Sequence, residues 1–187
     1  GDRVYLYFGM RRGGSNIYAL DVTDRNDPRL LWVIEGGNGD YEELGYTWST
    51  VNVEMVKDGT EEKPVLIFGG GYDDAQDAAT VRSADAYGRA VFIVDAVTGE
   101  RLWMGSAGGD TDVSEMLYSI PARVKPLDVS GDGYIDRVYA VDMGGQVFRF
   151  DINNKNDESL VSSITGGRIA DLAGSTARVI RVVGGKE

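Results

Sequence analysis

The chain of 187 residues contains no cysteine and no histidine. Without cysteine it has no disulfide framework, no thiolate metal site and no cysteine nucleophile. Without histidine it lacks Ser-His-Asp and Cys-His catalysis and the usual zinc ligands. Catalysis by carboxylates alone remains possible, but no residue is predicted to be catalytic.

Basic residues are scarce as well, with 19 Lys and Arg against 30 Asp and Glu and a formal net charge of −11. This charge repels phosphate backbones and anionic membrane surfaces, which argues against nucleic acid as a partner, and it favours cations. No signal peptide and no apolar run long enough to cross a bilayer are present, so no direct membrane insertion is expected. Because strand-like sequence begins at once after Gly1-Asp2, we expect the chain to be cut from a longer protein.

Prolines are few, at 4, whereas glycines number 26. Glycines scattered among Val, Tyr, Phe and Trp predict short strands joined by tight turns. One sequence pattern occurs three times: an apolar strand, an interruption that contains glycine, and a second strand that ends in Asp. The three copies are residues 4–9 with 16–21, 65–71 with 90–95, and 138–142 with 146–151.

Further strands extend each copy. The first two copies continue into a strand that carries Trp32 or Trp103, and residues 160–164 are predicted to take that place in the third. One more strand precedes the second and third copies, at residues 50–56 and 122–127. Each complete unit therefore has about four antiparallel strands, which is the pattern of a propeller blade.

The sequence thus predicts an all-β fold, a partial and quinoprotein-like β-propeller of about three four-stranded antiparallel blades. The blades are expected at about residues 1–36, 48–106 and 119–166, with 167–187 as a tail or the start of the next blade. A β-sandwich of unrelated hairpins is the alternative, and the repeated sequence pattern argues against it. Three blades cannot close a ring, and an open array leaves sheet edges unpaired. We therefore expect the parent chain, or other chains, to supply more blades.

The segment from Asp95 to Trp103 resembles the tryptophan-docking motif of quinoprotein-type propellers. Thr98-Gly99 is predicted to turn the hairpin, and Trp103 is predicted to pack between blades as a core residue. Residues 73–88 interrupt the second blade, and we consider this segment either a partner surface or a flexible insertion.

The loop at residues 128–136 places oxygen-bearing side chains at alternate positions, with Gly133 at the sharp turn. Side-chain oxygens at positions 1, 3, 5 and 9 of such a loop, with a backbone carbonyl at position 7, converge on a hard cation. The sequence therefore predicts one Ca²⁺ site of modest affinity, roughly 10⁻⁵ to 10⁻³ M. Its predicted ligands are Asp128, Ser130, Asp132, the carbonyl of Tyr134, and Asp136.

An ordinary acidic surface turn is the alternative for this loop, because Asp-Gly pairs are common turn formers. The second blade offers an internal comparison. It has Asp58-Gly59 at the same place but lacks the alternating oxygens, so an ordinary hairpin is expected there.

Several segments together resemble the C-terminal propeller of the PilY/PilC family of type IV pilus tip proteins. They are residues 7–14 (YFGMRRGG), 18–23 (YALDVT), 44–50 (LGYTWST), 68–73 (FGGGYD), 118–122 (YSIPA) and 128–151. The resemblance covers the chain to about residue 173.

The resemblance implies a seven-bladed, quinoprotein-like propeller in the parent protein, exported to the periplasm, the outer surface and the pilus tip. In that family a loop of this kind binds calcium and tunes pilus extension against retraction, as in twitching motility. The implied partners are pilus minor subunits or tip components. A host or abiotic surface would be contacted by an N-terminal adhesive region absent from this chain.

Two other functions stay open at this point. The docking-motif resemblance would suit a pyrroloquinoline quinone-dependent dehydrogenase, although the calcium loop would be complete without a quinone. A purely structural propeller with an incidental acidic turn is the third possibility. We expect a binding and regulatory module and not an enzyme.

Overall fold

Three β-sheets follow one another along the chain in a computed structural model that describes residues 2–81, 83–154, 158–173 and 178–179. The first sheet consists of β1 (Tyr5–Gly9), β2 (Ile17–Asp21) and β3 (Arg29–Ile34). The second contains β4 (Asn52–Asp58), β5 (Glu61–Gly69), β6 (Ala90–Asp95), β7 (Arg101–Ser106) and β8 (Thr111–Asp112). The third contains β9 (Lys125–Leu127), β10 (Arg137–Val141), β11 (Gln146–Ile152), β12 (Ile164–Asp171) and β13 (Arg178–Val179).

Helical structure among the described residues is limited to short segments. One helix, α1 (Leu160–Ser163), lies before β12, and 3₁₀ turns occur at Arg11–Gly13, Gly39–Tyr41 and Asp74–Ala78. No helix in this part of the chain is long and apolar enough to cross a membrane. The architecture is therefore nearly all β, as the sequence predicts.

Strands that are consecutive in the chain pair with each other inside each sheet, and the pairing is antiparallel apart from the short parallel pair of β7 and β8. The spatial order in the second sheet is β4-β5-β6-β7-β8, and in the third it is β9-β10-β11-β12-β13. Such meanders are the expected form of a propeller blade. We call the three sheets the first, second and third blades.

The second blade is buried on both faces. Along β6, Val91 and Ile93 point into a core shared with the third blade, whereas Phe92 and Val94 point into a core shared with the first. Successive side chains of a strand point to opposite faces, so this continuous apolar run fills two cores at once. The blades consequently stack face to face, with the second blade between its neighbours.

Trp103 occupies the core between the second and third blades, as predicted. It is fully buried, and its ring meets that of Phe150 edge-on, with 5.0 Å between the ring centroids. The indole Nε1 donates a hydrogen bond to Thr111 Oγ1 over 3.0 Å. Gly105 makes room for this pair, because a Cβ there would lie only 2.5 Å from Trp103 and 2.8 Å from Phe150.

The predicted turn at Thr98-Gly99 is also present, and it receives the tryptophan of the preceding blade. Asp95 Oδ1 accepts the N–H groups of Val97 and Thr98 at 2.8 and 2.9 Å, and Gly99 has a φ of 77°. A Cβ on Gly99 would lie 2.8 Å from the ring of Trp32. The docking motif therefore joins the first blade to the second.

Residues 73–88, between β5 and β6, are anchored at both ends by buried carboxylates. Asp73 accepts hydrogen bonds from the N–H groups of Ala75 at 3.0 Å and Ala86 at 2.7 Å. Asp85 accepts one from the N–H of Ser119 at 2.5 Å. These contacts close the described part of the segment on itself and tie its C-terminal end to the chain between β8 and β9.

The prediction of a strand at residues 160–164 is wrong for most of that segment. Leu160–Ser163 form α1, because Ser159 caps its start by accepting a hydrogen bond from the N–H of Ser162. The outer strand β12 begins only at Ile164 and continues beyond residue 166, the expected end of the third blade. Gly166 lets it pass close to β11, since a Cβ there would lie 2.4 Å from the carbonyl of Arg149.

The C-terminal segment was predicted to be a tail or the start of another blade. Residues 174–177 and 180–187 lie outside the described residues. Arg178–Val179 pair with β12 opposite Asp171 and Ala170, so they extend the third sheet.

We expect Trp103→Ala to lower the free energy of unfolding by about 3–5 kcal/mol, because it leaves a cavity between two sheets. Trp48→Ala is the comparison variant, since Trp48 is 37% exposed and its substitution removes less buried apolar area, so a smaller loss is expected. Chemical denaturation measures both. Equal losses in the two variants would contradict the assignment of Trp103 to the inter-blade core.

Candidate calcium loop

Residues 128–136 connect β9 to β10 at one end of the third blade. The strands on either side are paired, with Leu127 opposite Arg137, and the N–H of Asp136 donates to the carbonyl of Leu127 at 3.0 Å. The two ends of the loop are therefore adjacent. The structure brings the predicted site residues into one closed turn.

Asp128 holds the middle of the loop. Its Oδ1 accepts the N–H of Gly131 at 2.6 Å, and its Oδ2 accepts the N–H of Gly133 at 2.8 Å. A weaker contact of 3.3 Å joins Oδ1 to the N–H of Asp132. These backbone hydrogen bonds, led by that of Gly133, hold the pKa of Asp128 below its ordinary value, because they favour the ionised carboxylate.

Asp136 closes the loop from its other end. Its Oδ2 accepts the N–H groups of Val129 at 2.7 Å and Ser130 at 2.8 Å. Between the two ends, Asp132 Oδ1 accepts the N–H of Tyr134 at 3.0 Å and forms a local turn. The backbone of the loop is therefore folded around the carboxylates of the three aspartates, which accept its N–H groups.

Two glycines permit this path. Gly131 has a φ of 78° and Gly133 a φ of 93°, values that residues with a Cβ rarely adopt. The sequence predicts this role for Gly133. It does not single out Gly131, whose N–H makes the shortest of the hydrogen bonds to Asp128.

The oxygen donors of the loop suit calcium in kind and number, since calcium takes six to eight oxygen ligands and water can complete the set. Asp132 Oδ2 and Asp136 Oδ1 accept no hydrogen bond within the described residues. No group of three or more Asp or Glu side chains is gathered as a metal site in that part of the chain. Both oxygens of Asp128 face loop amides. Calcium binding at this loop therefore stays a prediction.

The side chain of Tyr134 is the feature that sequence reasoning missed, because only its carbonyl is a predicted ligand. Its Oη is hydrogen-bonded to the carboxylate of Glu62 in the second blade, and the ring lies under the ammonium of Lys57, 4.5 Å from Nζ to the centroid. The hydrogen bond to Glu62 is the main cause of a raised pKa of the Tyr134 phenol. These residues are 72 and 77 positions away, so no local pattern indicates the contact.

The comparison hairpin of the second blade is an ordinary one, as predicted. β4 and β5 pair up to Asp58 opposite Glu61, and Gly59 turns between them with a φ of 62°. Asp58 makes structural contacts. Its Oδ2 pairs with Lys63 Nζ at 2.7 Å, and its Oδ1 accepts the N–H of Leu160 at 2.8 Å.

Comparison with known proteins matches residues 2–183 to a family model described as the PilY1 beta-propeller domain. A type IV pilus biogenesis factor PilY1 homolog of Xylella fastidiosa is 32% identical over 165 residues, which is 83% of this chain and 10% of that protein. The type IV pilus biogenesis factor PilY1 of Pseudomonas aeruginosa is 32% identical over 147 residues, 79% of this chain and 11% of that protein. The chain therefore spans about a tenth of the length of these curated relatives.

A solved structure resembles the fold. The crystal structure of the Pseudomonas aeruginosa PilY1 C-terminal domain superposes with a TM-score of 0.64 at 26% identity, and it covers 90% of this chain and 35% of that chain. The three blades thus correspond to part of a larger solved domain. This match confirms the predicted partial propeller.

We expect Asp128→Ala, studied in the presence of a chelator, to speed amide hydrogen exchange at Gly131 and Gly133, because it removes the acceptor of both N–H groups. Asp24→Ala is the control, since Asp24 Oδ1 accepts the N–H of Asn26 at 2.9 Å in an exposed turn elsewhere. Unchanged exchange at the two glycines would contradict the role given to Asp128.

Asp58 should make stability depend on pH. Its hydrogen bond with Lys63, followed by that from Leu160, lowers its pKa below the ordinary 3.8. A carboxyl group with a lowered pKa contributes stability above its unfolded pKa and loses that contribution as the pH falls through its folded pKa. We therefore compare the free energy of unfolding of the unsubstituted chain with that of Asp58→Asn. The difference should be at its maximum at pH 6 and should decrease below about pH 4. A difference that does not change with pH would contradict this account.

Proposed function

This chain belongs to the PilY1 β-propeller family, and on that premise we propose that it is a calcium-binding propeller module that regulates pilus extension, retraction and surface attachment. The relatives are type IV pilus biogenesis factors by name. The observation that carries the proposal is the closed loop at residues 128–136, whose three aspartates surround a turn with two left-handed glycines. The proposed role is non-catalytic.

The residues that would hold the ion are those predicted from the sequence. Asp132 and Asp136 each have a carboxylate oxygen free of loop hydrogen bonds, and Ser130 and the Tyr134 carbonyl supply neutral oxygens. When bound, calcium would supply a divalent positive charge that offsets the negative charge of the three aspartates. Asp128 keeps the turn closed through its amide hydrogen bonds, so the chain orders most of the loop before any ion arrives.

Calcium would act on this module through linkage. An ion that binds only the folded state at 100 times its Kd stabilises that state by about 2.7 kcal/mol. This is enough to favour one arrangement of the loop and of the surface beside it. Regulation by calcium therefore needs no chemical step on the protein.

The proposed setting is the periplasm, the outer surface and the pilus tip, where the module would meet pilus minor subunits or other tip components. The names of the relatives support a pilus setting. Adhesion to a host or abiotic surface would be supplied by regions that this chain does not include, since it spans about a tenth of the relatives' length.

We expect isothermal calorimetry to find one calcium site with a Kd of roughly 10⁻⁵ to 10⁻³ M. Asp132→Ala should abolish binding, whereas Asp24→Ala, which removes another exposed carboxylate, should leave it intact. The melting temperature should rise with calcium and fall back in chelator. A folded chain that binds no calcium would overturn the proposal and leave a purely structural propeller.

A further inference from the structure

Tyr134 joins the candidate calcium loop to a different blade. Its carbonyl belongs to the loop of the third blade, whereas its side chain rests against the β4–β5 hairpin of the second. There the ring lies under Lys57, and Oη is hydrogen-bonded to Glu62. One residue thus carries both a predicted calcium ligand and an inter-blade contact.

The backbone next to Tyr134 is tied to the same hairpin. The N–H of Ile135 donates to the carbonyl of Met55 on β4 at 3.0 Å. Asn154 bridges the two blades, because its Nδ2 donates to the carbonyl of Ile135 at 2.7 Å and its Oδ1 accepts the N–H of Lys57 at 3.1 Å. Ile135 and Asn154 are both buried. The chain immediately after the predicted carbonyl ligand is therefore fixed by the second blade.

The hairpin is held to the third blade at a second place as well. The N–H of Gly59 donates to the carbonyl of Glu158 at 2.9 Å, and that of Leu160 donates to Asp58 at 2.8 Å. Tyr134 contacts the hairpin on both of its strands, through Lys57 on β4 and Glu62 on β5. The hairpin therefore contacts the third blade at two places. One is the loop at residues 128–136, and the other is the start of α1 with the residue Glu158 before it.

We propose that Tyr134 is a positioning residue that couples calcium binding at residues 128–136 to the docking of the β4–β5 hairpin of the neighbouring blade. The inference rests on the proposed calcium function and names how that site is regulated. The Tyr134 carbonyl and the N–H of Ile135 belong to one planar peptide group, and that N–H donates to Met55 of the hairpin. Docking of the hairpin, which the Tyr134 ring supports from the same residue, therefore restrains the direction of the carbonyl. An ion that needs this carbonyl then favours the docked hairpin.

The coupling must run in both directions. If hairpin docking strengthens calcium binding by some factor, calcium strengthens hairpin docking by the same factor. A partner that contacts the hairpin would therefore sense calcium without touching the ion. Under this proposal, calcium binding at residues 128–136 changes how firmly the β4–β5 hairpin is docked, and so changes the surface that the hairpin offers to a partner.

The test uses substitutions that leave every predicted calcium ligand in place. Tyr134→Ala removes the inter-blade hydrogen bond, and Glu62→Gln replaces its charged acceptor with a neutral amide. Both variants keep the backbone carbonyl. We expect Tyr134→Ala to weaken calcium binding by about fivefold or more, the lower range of typical coupling factors. Glu62→Gln and Tyr134→Phe should weaken it less, in the same direction. Calorimetry of the full chain measures all of them.

Glu61→Gln is the matched control for charge. It removes a carboxylate next to Glu62 on the same strand, and Glu61 pairs instead with Lys63 at 3.6 Å. A general electrostatic effect would weaken calcium binding equally in the two variants. The proposed contact predicts weakening in Glu62→Gln alone.

Amide hydrogen exchange gives a second readout that does not depend on affinity. Calcium should slow exchange at Gly59, which supplies no ligand, in the unsubstituted chain. It should not do so in Tyr134→Ala at saturating calcium. If that variant fails to fold, Tyr134→Phe, which keeps the ring, replaces it.

The outcomes separate the two proposals. Calcium binding that is unchanged in Tyr134→Ala, or unaltered exchange at Gly59 on calcium addition, overturns the coupling while the calcium site stands. An unsubstituted folded chain that binds no calcium overturns both.

Discussion

The burial of both faces of the second blade is the constraint on which the rest of the structure depends. Its central strands carry apolar side chains in an unbroken run, so neither face can be left in water. Each face must be covered by another sheet, and the two tryptophans fix how those sheets meet. Trp32 docks on the turn at Gly99, and Trp103 packs on Phe150 beside Gly105.

This stacking also determines where the candidate calcium loop lies. The third blade packs on the second, which brings the loop after β9 against the hairpin between β4 and β5. The contacts of Tyr134, Ile135 and Asn154 exist only because the two blades are neighbours. A calcium site in an isolated hairpin would order that hairpin alone. Here the same loop touches an inter-blade boundary, and under the proposed coupling an ion bound in the loop would act on that boundary as well.

The sequence predicts the fold where a pattern is local. β6 spans the predicted residues, Ala90–Asp95, because an apolar run ending in Asp defines a strand and its turn. The strand predicted at residues 160–164 fails because the cap at Ser159 and the contact of Leu160 with Asp58 override local propensity. In the loop, spacing indicates the ligand set, but it cannot show that both oxygens of Asp128 are engaged by amides. The Tyr134 contact joins residues far apart in sequence and is visible only in three dimensions.

The most direct test of the account is a crystal structure of the full chain grown with calcium. The account predicts one ion in the loop at residues 128–136, with oxygens of Asp128, Ser130, Asp132, Tyr134 and Asp136 at about 2.3–2.6 Å. The ring of Tyr134 should remain on the β4–β5 hairpin. A loop whose aspartates stay bonded to its own amides, with no ion among them, would contradict the account.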